Sequence, residues 1–195
     1  MDKKEIRRAV LGWLRGLSED DHRIKGRRAA DRLISDNRFG EADTIGITVS
    51  RHPEIDTLPV IRAAWKAGKR VAVPRCHPAD RSMQFREITS FDQLETVYMD
   101  LREPAEGRTR PVAKEEIGLI VVPGVVFSPD GFRIGFGGGY YDRYLAGYRG
   151  ETVSLALEGQ LTEGLPAEPH DIPVGSIMTE SRTIECGEAR DGDRS

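Results

Sequence analysis

Apolar residues near the start of the chain recur every three or four positions: Ile6, Ala9, Val10, Trp13, Leu14 and Leu17. That spacing places them on one face of a helix over residues 2–17 and leaves Lys3, Lys4, Arg7, Arg8 and Arg15 mostly on the others. Ser18 followed by Glu19, Asp20 and Asp21 marks a second helix start, a hydroxyl cap with acids near the positive end of the dipole. This helix runs to about Ile34 with Ile24, Ala29, Ala30, Leu33 and Ile34 inward. The period then changes. Thr44 to Val49 is a short, continuous β-rich run, the pattern of a strand buried on both faces. Asp56 or Thr57 caps a helix carrying Val60, Ile61, Ala64 and Trp65, and Arg70 to Pro74 is the next strand. A β-α-β order of this kind predicts a parallel sheet with helices on its faces.

Further along, Met83 to Ile88 reads as another strand, and residues 102–116, rich in Pro, Glu, Arg and Lys, as a surface loop. Ile117 to Val122 is the strongest strand signal in the chain. Ser128-Pro129-Asp130-Gly131 is a turn, because proline presets φ and glycine accepts positive φ. Tyr140 to Leu145 begins a helix and Thr152 to Leu157 is a late strand. The organisation expected is one domain over residues 1–185, followed by a polar, Gly-rich and flexible tail over 186–195.

Bulk properties narrow the classes. A length of 195 residues fits one domain with a real core. A net charge of −3 gives no nucleic-acid or membrane surface, and the early basic residues are interleaved with acids. No apolar run approaches the roughly 20 residues that span a bilayer, and the N-terminus has no apolar signal core, so the chain reads as cytoplasmic. Cys76 and Cys186, far apart, form no disulfide framework, and read as a packed thiol and a tail thiol. His22, His52, His77 and His170 have no metal spacing, and neighbours such as His170 and Asp171 are expected to point apart.

The most informative stretch is Val121 to Leu145, which leaves a strand, crosses a glycine-rich loop and enters a helix. Gly135, Gly137, Gly138 and Gly139 fall within five residues. Backbone N–H groups in such a loop, beside a helix N-terminus, can cradle phosphate. Arg133 adds a positive fork, Asp142 a hard oxygen suited to Mg²⁺, and Tyr140 and Tyr141 flat faces for an aromatic ligand. The spacing matches neither G-x-x-x-x-G-K-[ST] nor G-x-G-x-x-G. By itself it supports either an anion site at a strand–loop–helix junction or a flexible turn with packed aromatics.

The segment P-G-V-V-F-S-P-D-G-F-R-I-G-F-G-G-G-Y-Y-D-R-Y-L resembles the signature of the 5-formyltetrahydrofolate cyclo-ligase (methenyltetrahydrofolate synthetase) family. Lys3-Lys4-Glu5-Ile6-Arg7 resembles the family's K-x-x-L-R, and Pro53-Glu54-Ile55-Asp56-Thr57 its E-[IV]-x-T. Val73-Pro74-Arg75, Met83, Glu103-Pro104, Gln160, Leu165-Pro166 and His170-Asp171 also fit in order, so the likeness spans about residues 3–181. It implies a three-layer, Rossmann-like α/β sandwich with a mainly parallel sheet. The implied activity is ATP- and Mg²⁺-dependent closure of 5-formyltetrahydrofolate to 5,10-methenyltetrahydrofolate with release of ADP and phosphate. The formyl oxygen is phosphorylated and N10 then attacks.

Carried over residue by residue, the resemblance implies ATP contacts at Lys3, Arg7, Arg133, Ile134, Gly135, Phe136, Gly137, Gly138, Gly139, Tyr140 and Tyr141. Arg133 and Tyr140 take catalytic roles, Asp142 holds magnesium, and Val49, Glu54 and Tyr140 meet the folate. A second acidic metal position of some relatives falls near Gly175, which has no side-chain ligand; Asp171 or Glu180 could substitute. Phe136 and Gly138 stand where some relatives carry basic residues, shifting the phosphate contacts toward backbone N–H groups and Arg133. The implied partners are the two small-molecule substrates, with the chain a monomer or weak dimer. A non-catalytic binding module and an ATP-independent isomerase or CoA-transferase-like protein on a similar sheet are the competing readings.

Overall fold

The structure is a computed structural model and describes residues 1–186; the expected tail beyond Cys186 lies outside the described residues. Five α-helices run over Lys3–Gly16 (α1), Glu19–Ile34 (α2), Asn37–Glu41 (α3), Leu58–Lys66 (α4) and Tyr140–Leu145 (α5). The first six strands are Thr44–Ile47 (β1), Arg70–His77 (β2), Ser82–Ile88 (β3), Leu94–Tyr98 (β4), Leu101–Pro104 (β5) and Arg110–Pro111 (β6). The rest are Leu119–Val121 (β7), Val126–Phe127 (β8), Arg133–Ile134 (β9), Glu151–Leu155 (β10), Ser176–Met178 (β11) and Thr183–Glu185 (β12).

Eight strands form one sheet in the order β12-β11-β10-β7-β1-β2-β3-β6. The five from β11 to β2 are parallel, and the edges are antiparallel. The mainly parallel α/β sandwich read from the sequence is therefore the fold. Its layers follow from side-chain alternation. Ile45, Ile47, Val71, Val73, Leu119 and Val121 face a cluster that includes Ala30, Leu33, Val60, Ile61 and Ala64 of α2 and α4. Ala72, Ile120 and Val122 face the other side, packed with Phe85, Leu145 and the tyrosines of the α5 region.

Helix boundaries follow local chemistry. Asp2 and Glu5 form a reciprocal capping box on α1, and the Ser18 hydroxyl accepts the Asp21 amide at the start of α2. At α4 the Asp56 carboxylate accepts the Leu58 amide, while the Thr57 hydroxyl turns back to the Thr48 carbonyl at 2.8 Å. The inward faces differ from the apolar pattern. Ala9 and Trp13 stay exposed and Leu11 packs instead. Ile24 is 42% exposed, because His22 and Gly26 fill the buried face of α2 beside Ala29, Ala30 and Leu33.

Residues 102–116 are more than a surface loop. They carry the end of a β4–β5 hairpin, β6 and two short 3₁₀ turns. The hairpin turns at Met99 and Asp100, with φ of 43° and 63°. Cys186 is corrected from a tail thiol to a core one: it is 7% exposed, and its amide donates to the Gly175 carbonyl at 2.9 Å.

Candidate functional site

From β1 the chain crosses to β2 on one side, while β7 lies on the other, so the strand order switches direction at the β1–β7 pair. Outside the carboxyl ends of such strands an open parallel sheet leaves a crevice. Here it is a cleft of about 690 Å³, reached by Thr48 after β1, Pro74–Cys76 of β2 and Pro123 after β7. Three walls enclose it: the glycine loop with α1, the loop carrying Glu54, and the β4–β5 hairpin.

The first wall unites residues far apart in sequence. Lys3 and Arg7 of α1 line the cleft with Arg133 to Asp142. Arg7 Nε donates to the Gly135 carbonyl at 2.6 Å, so α1 pins the glycine loop. Lys3 Nζ lies 3.1 Å from Asp171 Oδ2 and 3.6 Å from Glu168 Oε1. The Arg133 side chain is only 7% exposed. One of its guanidinium nitrogens sits 3.4 Å from Asp142 Oδ1, and its buried Nε has no hydrogen-bond partner. Burial lowers the basicity of this guanidinium, opposed mainly by Asp142. An orphaned buried donor in a cleft wall suits an anionic ligand.

The glycines serve distinct needs. Gly137 and Gly139 hold φ of 97° and 70°, where a Cβ is strained. Gly138 lies under the Tyr140 ring, and an added Cβ would meet it at 2.6 Å. Phe136 is 50% exposed at the loop tip. The Ile134 side chain packs in a cluster with Val125 and Val126, so only its backbone is free to face a ligand. Tyr140 lines the cleft. Tyr141 hydrogen-bonds through its hydroxyl to Thr48, its ring 6.4 Å edge-on to Phe85, and burial raises its phenol. At six residues α5 is too short for its dipole to add much, so anion binding would rest on loop amides and side-chain cations.

Asp142 accepts from the Ile172 amide at 3.2 Å through the same Oδ1 that faces Arg133. Among the described residues no group of three or more acidic, histidine or cysteine side chains could hold a metal alone. One carboxylate with substrate phosphates and water is, however, an ordinary donor set for Mg²⁺. Of the two acids considered beside it, Asp171 lines the cleft, and Glu180 caps the Glu158 amide at 2.7 Å away from it. Burial alone would raise the Asp171 carboxyl, but the Glu168 amide and Lys3 outweigh it and hold it below its ordinary value. The Gly175 amide is taken by Thr152. His170 and Asp171 do not point apart: Nε2 of the exposed His170 lies 3.5 Å from Oδ1 of the largely buried Asp171.

Glu54 lines the second wall. Burial pushes its carboxyl up from 4.5 to about 7, against the opposing Arg51 backbone and charge. Val49, the other expected folate contact, could reach a ligand only through its backbone. Its side chain is 2% exposed in the core, and Thr48 is the neighbour that lines the cleft.

Sequence reasoning missed the third wall, where Val97, Tyr98, Leu101, Arg102 and Glu103 line the cleft. Arg75 ties the hairpin to β2 through Glu95 at 2.6 Å and the Pro104 carbonyl at 3.0 Å. Cys76 also lines the cleft, and burial, with the Glu103 charge, pushes its thiol up to about 12. The β-rich Thr96-Val97-Tyr98 run was the available signal, but its turn lacks the Gly or Asn that marks a hairpin.

The model of the 5-formyltetrahydrofolate cyclo-ligase family matches residues 1–180. The chain is 31% identical over 175 residues to an Escherichia coli 5-formyltetrahydrofolate cyclo-ligase, covering 88% of this chain and 96% of that one. A Mus musculus protein of that name is 29% identical over 189 residues, covering 91% and 93%. The NMR structure of Aquifex aeolicus 5,10-methenyltetrahydrofolate synthetase superposes with a TM-score of 0.84 at 30% identity, covering 97% of this chain and 95% of that one. With a match over nearly the whole chain and a cleft built from the same signature, the chain belongs to the 5-formyltetrahydrofolate cyclo-ligase family, enzymes that form a carbon–nitrogen bond.

Proposed function

We propose that the cleft binds ATP against the glycine loop and 5-formyltetrahydrofolate between Glu54 and the hairpin, and closes the folate to 5,10-methenyltetrahydrofolate with release of ADP and phosphate. The observation that carries this reading is the convergence of Lys3, Arg7 and the buried, under-bonded Arg133 on one loop, opposite a desolvated carboxyl. A formamide oxygen leaves poorly and a phosphate leaves well. Transfer of the γ-phosphoryl group to the formyl oxygen turns the one into the other. N10 then attacks the formyl carbon and loses its proton, and the oxygen departs on phosphate.

The protein's task is positioning and charge neutralisation. Lys3, Arg7, Arg133 and the loop amides would hold the phosphates. The Glu54 carboxylate would accept pterin N–H groups, Tyr140 would lie along an aromatic ring, and Val49 would contribute backbone alone. Asp142, with Asp171 beside it, would hold Mg²⁺, which supplies bridging charge to phosphate oxygens when bound. Purified protein is expected to form the methenyl product, followed by its absorbance, only with both ATP and a divalent cation. Equal turnover without nucleotide would overturn the proposal. We further propose that the enzyme works in the cytoplasm, as a monomer or weak dimer.

A further inference from the structure

Glu54 sits between two residues that are both buried, Pro53 and Ile55. Behind them runs α2. His22 of that helix is 9% exposed, with Nε2 2.7 Å from the Pro53 carbonyl oxygen. A carbonyl can only accept, so Nε2 carries the proton and donates. Four residues on, a Cβ at Gly26 would stand 3.5 Å from the Ile55 side chain. Three residues further, Ala29 packs in the same cluster as Ile55. Positions 22, 26 and 29 share one helix face, so α2 grips the loop from behind while Glu54 faces the cleft. The His52 ring closes over His22 with centroids 4.9 Å apart.

Most positions on this buried helix face carry small or apolar side chains. A histidine there instead supplies one directed donor to the peptide that joins Pro53 to Glu54. Other polar anchors of the loop are its own internal turn and its ends. The Glu54 amide bonds the Arg51 carbonyl at 2.8 Å, and Thr57 and Ser50 exchange bonds near 3.0 Å.

We infer that His22 is a positioning residue for the reaction: it fixes the Pro53–Glu54 peptide so that the Glu54 carboxylate meets the folate's pterin N–H groups. This rests on the reading of Glu54 as a folate contact. His22 is not among the residues that line the cleft. It acts through the loop, where a shift of a fraction of an ångström spoils hydrogen-bond geometry.

The test combines steady-state kinetics with amide exchange on the full chain. His22→Ala is expected to raise the folate KM about tenfold while the ATP KM stays within about twofold. His22→Gln, whose terminal amide also donates, recovers most of the loss. In a Glu54→Ala background, His22→Ala adds little, because both changes act on one contact. Amide exchange in residues 50–57 quickens in His22→Ala and returns toward wild type in His22→Gln. Additive effects of the two alanines, a parallel rise in the ATP KM, or unchanged exchange would each overturn the inference. A silent Glu54→Ala would instead bring down the folate reading of Glu54 and, with it, the role of His22 in the reaction. Exchange in residues 50–57 would still report whether His22 holds the loop.

Discussion

The Glu54 carboxyl carries a cost that can be measured. In the folded chain it titrates near 7, against 4.5 ordinarily, with burial the largest cause. The folded state therefore holds this proton over a range where the unfolded chain releases it. Stability from the raised value is full below about 4.5 and is lost as pH rises through about 7. A gap of roughly 2.5 units corresponds to about 3 kcal/mol by pH 8. Glu54→Gln, which keeps the shape and removes the charge, should stabilise the substrate-free protein by up to about 3 kcal/mol at pH 8 and by less than about 1 kcal/mol at pH 5. Folate binding runs the other way, since the ionised carboxylate is the form that accepts pterin N–H groups. Between pH 8 and pH 6 the ionised fraction falls about tenfold, and folate affinity without nucleotide should fall with it. Urea melts at pH 5, 6.5 and 8, with fluorescence titrations of folate across the same range, measure both. Equal stabilisation by Glu54→Gln at pH 5 and pH 8 would refute the desolvated carboxyl, and a flat wild-type folate affinity would refute its role in binding.

Asp142→Asn keeps an oxygen for the Ile172 amide and Arg133 while removing the charge, so the magnesium concentration for half-maximal rate should rise about tenfold, with the folate KM little changed. Gly138→Ala drives a Cβ into the Tyr140 ring, and should impair turnover more than the melting temperature; an unchanged rate would remove Tyr140 from the site. Cys76 lines the cleft with its thiol pushed up to about 12, so iodoacetamide at pH 8 should label it far more slowly than a free thiol.

The parallel sheet was legible because buried strands such as Leu119–Val121 are apolar on both faces, and the glycine loop because four glycines in five residues have few other uses. What escaped did so for stated reasons. The inward face of α2 uses His22 and Gly26, which apolar periodicity does not count, and so Ile24 was turned the wrong way. The hairpin turns on Met99 and Asp100, both at positive φ, where Asp100 is a turn former but neither glycine nor asparagine marks the turn. Which side chain faces the cleft was not legible at Val49: β1 ends at Ile47, and beyond it the chain turns Thr48 to the cleft and the Val49 side chain to the core.

The pairing within the cleft resolves how a chain of net charge −3 could take up a nucleotide with about four negative charges. Its global field repels the ligand, so attraction must be local. Yet two of the local cations are already paired with carboxylates: Lys3 with Asp171 and Glu168, and one guanidinium nitrogen of Arg133 with Asp142. Phosphates alone would have to compete with those carboxylates. A magnesium nucleotide brings both signs at once. Asp142 and Asp171 would then hold the metal, and Arg133 and Lys3 would be left to hold the phosphate oxygens. Each ion would change partner and none would be left buried and bare, which is the condition under which a desolvated charge is affordable. On the proposed function, the same exchange would make the metal a requirement of nucleotide binding in this cleft as well as of phosphoryl transfer. Nucleotide affinity measured without turnover should therefore weaken on chelation of the metal in wild type, and much less in Asp142→Asn.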